Sequence, residues 1–559
     1  MNKTIKMKFN ILAIFSIIIF CFAITPKTLQ NDTYYTIKIG EHIMENGIDM
    51  EDPFSWNEDL PYTYPHWAYD VAIYQIYNLG NTIGIGGFTA IYISTAILCM
   101  ILGVLLYYVG NKLCRNQLVA FLVTFGVLYL LKNFIAARAQ LVTYILFVLQ
   151  ILFMEQFIAT KKKRYAVGLI IIPIIIANVH LAVWPFYFVL FLPYIVEYII
   201  ALIMDSYIYY KLAIKWNKHK VKKLSIKNKQ KEKIEKITAK IDELQEKSEK
   251  AVLKRNERRN NPYKICLKKE NAVKWIIIIM IICAFTGLLT PLGDTPYTYL
   301  VKTMQGNTMD NINEHLPLTL INNKNILVVF TLFLAILIFT DTKIKLRDFF
   351  MLAGLTLLCF MSRRQISIFV IVCGFIFEKL LVSLIDKYDR EGSEKLIIGM
   401  TKFLGKTLTI LLVILVSFYL YKDKIKDKYV NEATYPVEAC DYIINNLDID
   451  SIRIYNEYNY GSYMLYRGIP VFIDSRADLY APEFNGTKGE DGKYKGRDIF
   501  SDYINISGIA TYYDDKFEEY GITNVIIKKS SKLNMFLSRD DKYKELYSDK
   551  YFVIYERMK

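Results

Sequence analysis

The sequence predicts a polytopic α-helical membrane protein of about eleven spans, with a small C-terminal α/β domain outside the membrane. Three observations predict it. Of 559 residues 53% are hydrophobic, and they gather in blocks long enough to cross a hydrocarbon layer of ~30 Å. The loops between blocks alternate in charge, as loops on opposite sides of a membrane do. Beyond residue 421 the apolar blocks stop, and short β-rich runs alternate with helical ones.

The first block, Phe9–Thr25, follows Lys3, Lys6 and Lys8 and reads as a retained anchor, since no small-x-small cleavage site precedes Thr25. The others are Phe88–Val109, Leu118–Leu131, Leu141–Ala159, Tyr165–Ala177, Leu181–Met204, Trp275–Thr290, Ile326–Thr340, Phe349–Met361, Ile366–Ile385 and Thr407–Tyr421. Several are shorter than the ~20 residues a perpendicular helix needs, so they borrow flanking residues or sit in thinned bilayer.

Lys and Arg mark cytoplasmic loops. Lys112 and Arg115, the run Lys161–Arg164, and Lys343, Lys345 and Arg347 all fall on the side that parity assigns to a cytoplasmic N-terminus. The insertion 205–274 agrees, with 22 basic against 9 acidic residues. Pro26–Asp70 carries 9 acids and 2 lysines, which puts this first long loop, and by parity the tail 422–559, outside. The net charge of +15 is therefore a matter of topology, and nucleic acid is not an expected partner. Of eight cysteines only Cys440 faces outward, so no external disulfide framework is expected.

Within the basic insertion, Ile234, Ile237, Ile241 and Leu244 follow 3-4-3 spacing amid Lys and Glu, the pattern of an amphipathic or coiled-coil helix whose basic flanks favour anionic headgroups, with a solvated insertion that merely joins two spans as the alternative. In the tail, "YPVEACDYIINNL" and "DIFSDYINI" read as helices, and "SIRIYN", "PVFID", "TNVIIKK" and "YFVIYER" as strands of a partly parallel sheet. Ligand sites in such sheets collect at strand C-terminal ends. Asp474, Arg476 and Asp478 in "FIDSRAD" are site candidates on that ground, with a structural ion-pair turn as the alternative.

No Walker loop, GxGxxG, HExxH or CxxC pair occurs, so nucleotide binding, zinc peptidase and thiol chemistry find no support. What remains is a set of ionisable groups at the outer ends of spans, where they avoid most of the bilayer penalty and can face a shared cavity.

These residues carry a resemblance. "DTYYTIKIGEHIMENGIDMEDPFSW", "YPHWAYD", "ARAQLVTYILF", "IANVHLAVWP", "TPLG", "INEHLPLT", "SRRQISIFVI" and "NEYNYGSYMLYRGIPVFIDSRADLY" follow in order the landmarks of GT-C-like integral-membrane glycosyltransferases. The chain resembles in particular the bacterial members of the dolichyl-phosphate-mannose mannosyltransferase-like group, from about Asp32 to the C-terminus, the basic insertion excepted. The resemblance implies a hexosyltransferase-type enzyme of the cell membrane. Its donor would be a polyprenyl-phosphate-linked sugar, and its acceptor an envelope glycan, lipid or protein outside the cytoplasm. Asp32 matches the family's first-loop acid, which implies a catalytic base or a ligand for a divalent metal ion. Many family members pair two acids here, whereas this chain has Asn31-Asp32 and then Glu41, a departure that weakens the metal reading.

His66 and Trp67 suit a sugar, by imidazole hydrogen bonds and ring stacking. Arg138 suits a phosphate through its planar fork, beside Gln140, or else anchors at headgroup level. Asn178 and His180, Glu314 and His315, and Arg363 and Arg364 recur at the same depth on three other hairpins. Glu41 and His42, three and four positions from Lys38, read as a solvated helix face. A ligase or polymerase of similar architecture, a transporter and a non-catalytic assembly protein are the alternatives. A transporter favours mid-span charges and internal repeats, whereas here the charges sit mainly at the outer ends of the spans and no repeat is visible.

Overall fold

The computed structural model describes residues 2–204, 206–225, 231–259, 264–306, 311–489 and 494–558. Of the basic insertion 205–274, residues 205, 226–230 and 260–263 lie outside the described residues.

Every apolar block forms a helix. The first are α1 (Lys3–Ile24), α2 (Asn31–Asn46), α3 (Trp67–Thr82), α4 (Gly87–Cys114), α5 (Gln117–Leu131), α6 (Ala139–Thr160) and α7 (Lys163–Val179), of which α2 and α3 belong to the first long loop. The block Leu181–Met204 is broken into a 3-10 turn, α8 (Trp184–Val189) and α9 (Leu192–Ile203), with a proline at the start of each of the two α-helices. Among the described residues six helical stretches are long and apolar enough to cross a membrane: Lys3–Ile24, Gly87–Cys114, Ala139–Thr160, Leu181–Ile203, Arg363–Tyr388 and Phe403–Lys424. The five remaining blocks fold as shorter helices, the longest of 17 residues, about 25 Å at 1.5 Å per residue. Helices α4 and α6 both end on a left-handed basic residue, Arg115 and Lys161. These caps place cations where the last carbonyls of a helix attract them.

Two apolar cores divide the buried side chains. One joins the long helices through Phe9, Leu102, Leu128, Phe147 and Phe369. The other joins first-loop residues such as Tyr34 and Tyr64 to Tyr455, Phe472 and Ile526 of the tail. Tyr34 carries this junction, its ring lying 5.0 Å from Tyr435 and 5.1 Å from Tyr463 in edge-to-face contact. Helices α2 and α3 cross at Gly40, where an added Cβ would lie 2.2 Å from the Asp70 carbonyl oxygen. Only glycine permits that approach.

The tail sheet runs Ile454–Tyr455, Asn524–Lys528, Phe552–Arg557, Tyr543–Ser548, with the first pair parallel and the others antiparallel. One expectation is corrected here. "PVFID" is not a strand of this sheet: the Val471 amide donates to the Phe54 carbonyl and its carbonyl accepts from the Trp56 amide, so the segment fastens the first loop instead. Tyr543–Ser548, an edge strand with one buried residue and no clean alternation, lies beyond the strands that the sequence predicts. The helix expected around Ile234–Leu244 is α11 (Lys231–Arg259), paired with a second helix, α10 (Ser206–Ser225).

Charges sit at both ends of α6. Near its C-terminal end Glu155 pairs with Arg347 at 2.9 Å and with Lys379 at 3.1 Å, and Lys379 also meets Asp348 at 3.1 Å. Intramembrane charges are tolerable when paired in this way. At the other end, about 25 Å away by helix rise, stands Arg138.

Candidate active site

A cavity of about 440 Å³ opens where the helix ends meet the first loop and the tail. That size suits a small polar ligand or part of a larger one. Four of its charged or polar walls come from the ends of different helices. Asp32 sits in the first turn of α2, where the helix dipole favours a carboxylate. Arg138 is the N-cap of α6, His180 ends α7, and Arg364 lies in the 3-10 turn before the Ile366–Tyr388 helix.

Arg138 bridges two carboxylates: Nη2 lies 2.8 Å from Asp32 Oδ2, and Nη1 donates to Glu314 Oε1 at 3.1 Å. Glu314 is held by backbone contacts, since the Arg364 amide donates to its carbonyl at 2.9 Å and Ser362 Oγ does so at 3.2 Å. Arg364 Nη2 reaches His180 Nε2 at 3.3 Å. A guanidinium only donates, so Nε2 must accept and the His180 proton is on Nδ1. His180 Nδ1 donates that proton to Thr143 Oγ1, 2.9 Å from the nitrogen, and the Thr143 hydroxyl in turn donates to the Ala139 carbonyl. The chain from Arg364 to α6 thus sets the His180 tautomer.

Burial and the nearby guanidiniums hold the cavity histidines, His66, His180 and His315, toward the neutral form. Burial first, then the charges of Arg364 and Arg138, lowers His66 to about 3; burial, then Arg364, lowers His315 to about 4. Burial acts to raise Glu314, but Arg138 and Arg364 outweigh it and hold the carboxyl below its usual range. Burial raises Asp478, against the hydrogen bond it accepts from Tyr299. A stability prediction follows by linkage. His66 and His315 bind protons more readily in the unfolded chain, at about 6.5, than in the folded one. Their contribution is complete above about pH 6.5 and is lost as pH falls toward 4. Thermal melts in detergent between pH 7 and 4.5 should show that fall, and His66→Asn with His315→Asn should flatten it; an unchanged slope contradicts the assignment.

Ten sequence candidates line the cavity: Asp32, His66, Arg138, Gln140, His180, Glu314, His315, Arg364, Arg476 and Asp478. Four do not. Trp67 donates its indole N–H to Asn178 Oδ1 at 3.1 Å, and Asn178 donates to the carbonyls of Ile174 and Leu289, so this pair ties α3 to α7 and to the "TPLG" loop. Arg363 donates to the Pro317 carbonyl. Asp474 is fully buried and takes Arg476 Nη2 at 2.6 Å, while Arg476 Nη1 reaches fully buried Asp52 at 2.6 Å. Arg476 therefore touches the cavity wall with a guanidinium already committed to two carboxylates, the structural turn that the sequence left open. Lys38 pairs with Glu41, and His42 with Asp49. Sequence reading missed the aromatic walls, among them Tyr62, Tyr299, Tyr458, Phe484, Phe500 and Tyr503. Tyr is so frequent in this chain, 43 residues, that no single one stood out.

A divalent metal ion needs a cluster of free oxygen or nitrogen donors. Asp32 and Glu314 instead share a guanidinium, and among the described residues no group of three or more His, Cys, Asp or Glu is placed to hold an ion. As arranged, the donors do not fit a metal.

Similarity in structure decides the fold. The chain superposes on the oligosaccharyltransferase AglB of Archaeoglobus fulgidus, solved with an inhibitory peptide and a dolichol-phosphate, with a TM-score of 0.52 and 12% identity over 100% of this chain and 74% of that one. The apo form of the Archaeoglobus fulgidus oligosaccharyltransferase gives 0.50 and 11%, over 94% and 69%. This chain has the GT-C-like fold. No family profile and no curated protein sequence matches it. In the GT-C-like fold of this chain, the cavity joins the ends of the long helices to the first loop and the tail.

Proposed function

We propose that this chain is a membrane glycosyltransferase that moves a sugar from a polyprenyl-phosphate carrier to a hydroxyl of an envelope glycan, lipid or protein outside the cytoplasm. The observation that supports it most is the pairing of Asp32 and Glu314 through Arg138 beside a second guanidinium, Arg364, which meets His180. Dolichol-phosphate and a peptide in the AglB structure support a lipid-linked donor and a separate acceptor. The reading keeps the division at residues 421 and 422, a cytoplasmic N-terminus and an extracytoplasmic tail.

In the proposed step Arg138 aims Asp32 through Oδ2, and the other carboxylate oxygen takes the acceptor proton. The acceptor atom bonds to the anomeric carbon as the bond from that carbon to the phosphate oxygen breaks. Its electron pair leaves on the phosphate, where Arg364 stabilises the charge. Arg364 is better placed for this than Arg138, which already neutralises two carboxylates. The tyrosines of the tail wall offer ring faces and hydroxyls to the sugar.

Arg364→Lys tests this assignment, because Lys keeps the charge and loses the planar fork. Transfer from a labelled polyprenyl-phosphate sugar in reconstituted vesicles should fall about 10²–10³-fold, the cost of losing one oriented charge stabiliser. Arg363→Lys, outside the cavity, should stay near the parent rate. Equal rates for both variants and the parent would remove Arg364 from the mechanism.

A further inference from the structure

We infer that α10 lies on the anionic headgroups of the bilayer, as a lipid-binding face of the basic insertion. The two helices meet along one seam but carry different outer faces. Ile241, Leu244 and Ala251 of α11 are buried, with Asn217 of α10, in the seam between them. The outer face of α11 offsets several of its lysines within the helix: Lys236 pairs with Glu232, Lys247 with Glu243 and Lys250 with Glu246, each one turn apart. Such a face is made for water. Helix α10 has six lysines and no acid over its 20 residues.

Its outer stripe is apolar and aromatic. Tyr209, Leu212 and Trp216 are 69%, 62% and 62% exposed, and their spacing of three and four residues puts them on one helix face. Lys220 Nζ sits 3.6 Å from the Trp216 ring centroid, and Lys215 and Lys218 flank the stripe in sequence. A tryptophan and a tyrosine among lysines is the composition of a helix at a membrane interface. Continuity supplies the geometry: α10 begins three residues after α9, the end of the apolar stretch Leu181–Ile203, so its first turn starts at the membrane surface. Negative charge from phospholipid is the partner that fits lysines offset by no acid of their own helix, with an apolar stripe between them. RNA or an acidic protein would leave the stripe without a role.

The test uses the full chain in nanodiscs of zwitterionic lipid, with and without anionic phosphatidylglycerol, each carrying brominated acyl chains. The Trp216 signal is the parent fluorescence minus that of Trp216→Phe. In anionic discs at low salt it should be quenched by the brominated lipid and protected from aqueous iodide. High salt should release it. Each surface lysine contributes about five-fold to such binding, so Lys215→Gln, Lys218→Gln and Lys222→Gln together should weaken docking about 10²-fold. Trp216 open to iodide in anionic discs overturns the inference. So does equal quenching in both lipids with no effect of the triple variant, or protection that arises only on adding RNA or an acidic protein.

Discussion

Asp32→Asn lowers sugar transfer about 10²–10⁴-fold, the usual cost of losing a general base, and leaves insertion and folding intact. The substitution keeps the shape of the side chain and the first-turn position in α2, and Arg138 retains Glu314 at 3.1 Å. What disappears is the carboxylate that Arg138 Nη2 meets at 2.8 Å. Single-turnover rates in vesicles separate chemistry from donor binding: the rate of the chemical step should fall while the apparent donor affinity changes little, because the proposed phosphate contact is Arg364. Added Mn²⁺ or Mg²⁺ should not rescue the variant, since a guanidinium bridges the two acids. A variant that is inserted, folded and as fast as the parent would leave Asp32 a pairing partner of Arg138 and nothing more. Arg138→Gln complements the test. It frees both carboxylates, and a double-mutant cycle with Asp32→Asn measures how far the two act as a unit.

Arg476→Met destabilises the chain by about 3–5 kcal/mol, the penalty for leaving buried charge without its partner. The guanidinium lies between Asp52 of the first loop and Asp474 of the tail, with all three side chains nearly inaccessible. It also stands 4.9 Å over the Tyr62 ring, and Asp474 takes a further hydrogen bond from Tyr480. Removal of the cation leaves two carboxylates facing each other out of water. Against a total stability of about 5–15 kcal/mol this is a large fraction, so thermal melts and proteolysis in detergent should both register it. Asp52→Asn and Asp474→Asn added to Arg476→Met should recover much of the loss, because a neutral triad carries no unpaired charge. A single variant that melts with the parent would show that water or another cation reaches the site.

The sequence by itself determined the helices. Each of the eleven apolar blocks is helical because a long apolar run specifies burial and internal backbone pairing without reference to any distant residue. It also determined the strands at Asn524–Lys528 and Phe552–Arg557, whose central residues are buried on both faces and so read as continuous apolar runs. Of the candidates that share the cavity, Arg138, His180, Glu314, His315 and Arg364 were visible as ionisable groups at span ends, where desolvation costs least, and Arg476 and Asp478 as charges just beyond a strand-like run. Tertiary structure alone decided who meets whom. Asp32, Arg138 and Glu314 come from three separate elements, the last two 176 residues apart, and nothing local to any of them encodes the bridge. The same holds for "FIDSRAD": in sequence it offers three equivalent charges, but the approach of Asp52 commits Arg476 to packing and leaves Asp478 on the cavity wall. "PVFID" has the composition of a strand, yet its Val471 hydrogen bonds go to Phe54 and Trp56, because strand pairing depends on which backbone arrives alongside. Charge and apolarity are properties of a residue and can be read in order; coordination among them is a property of distance in space, which only the folded chain sets.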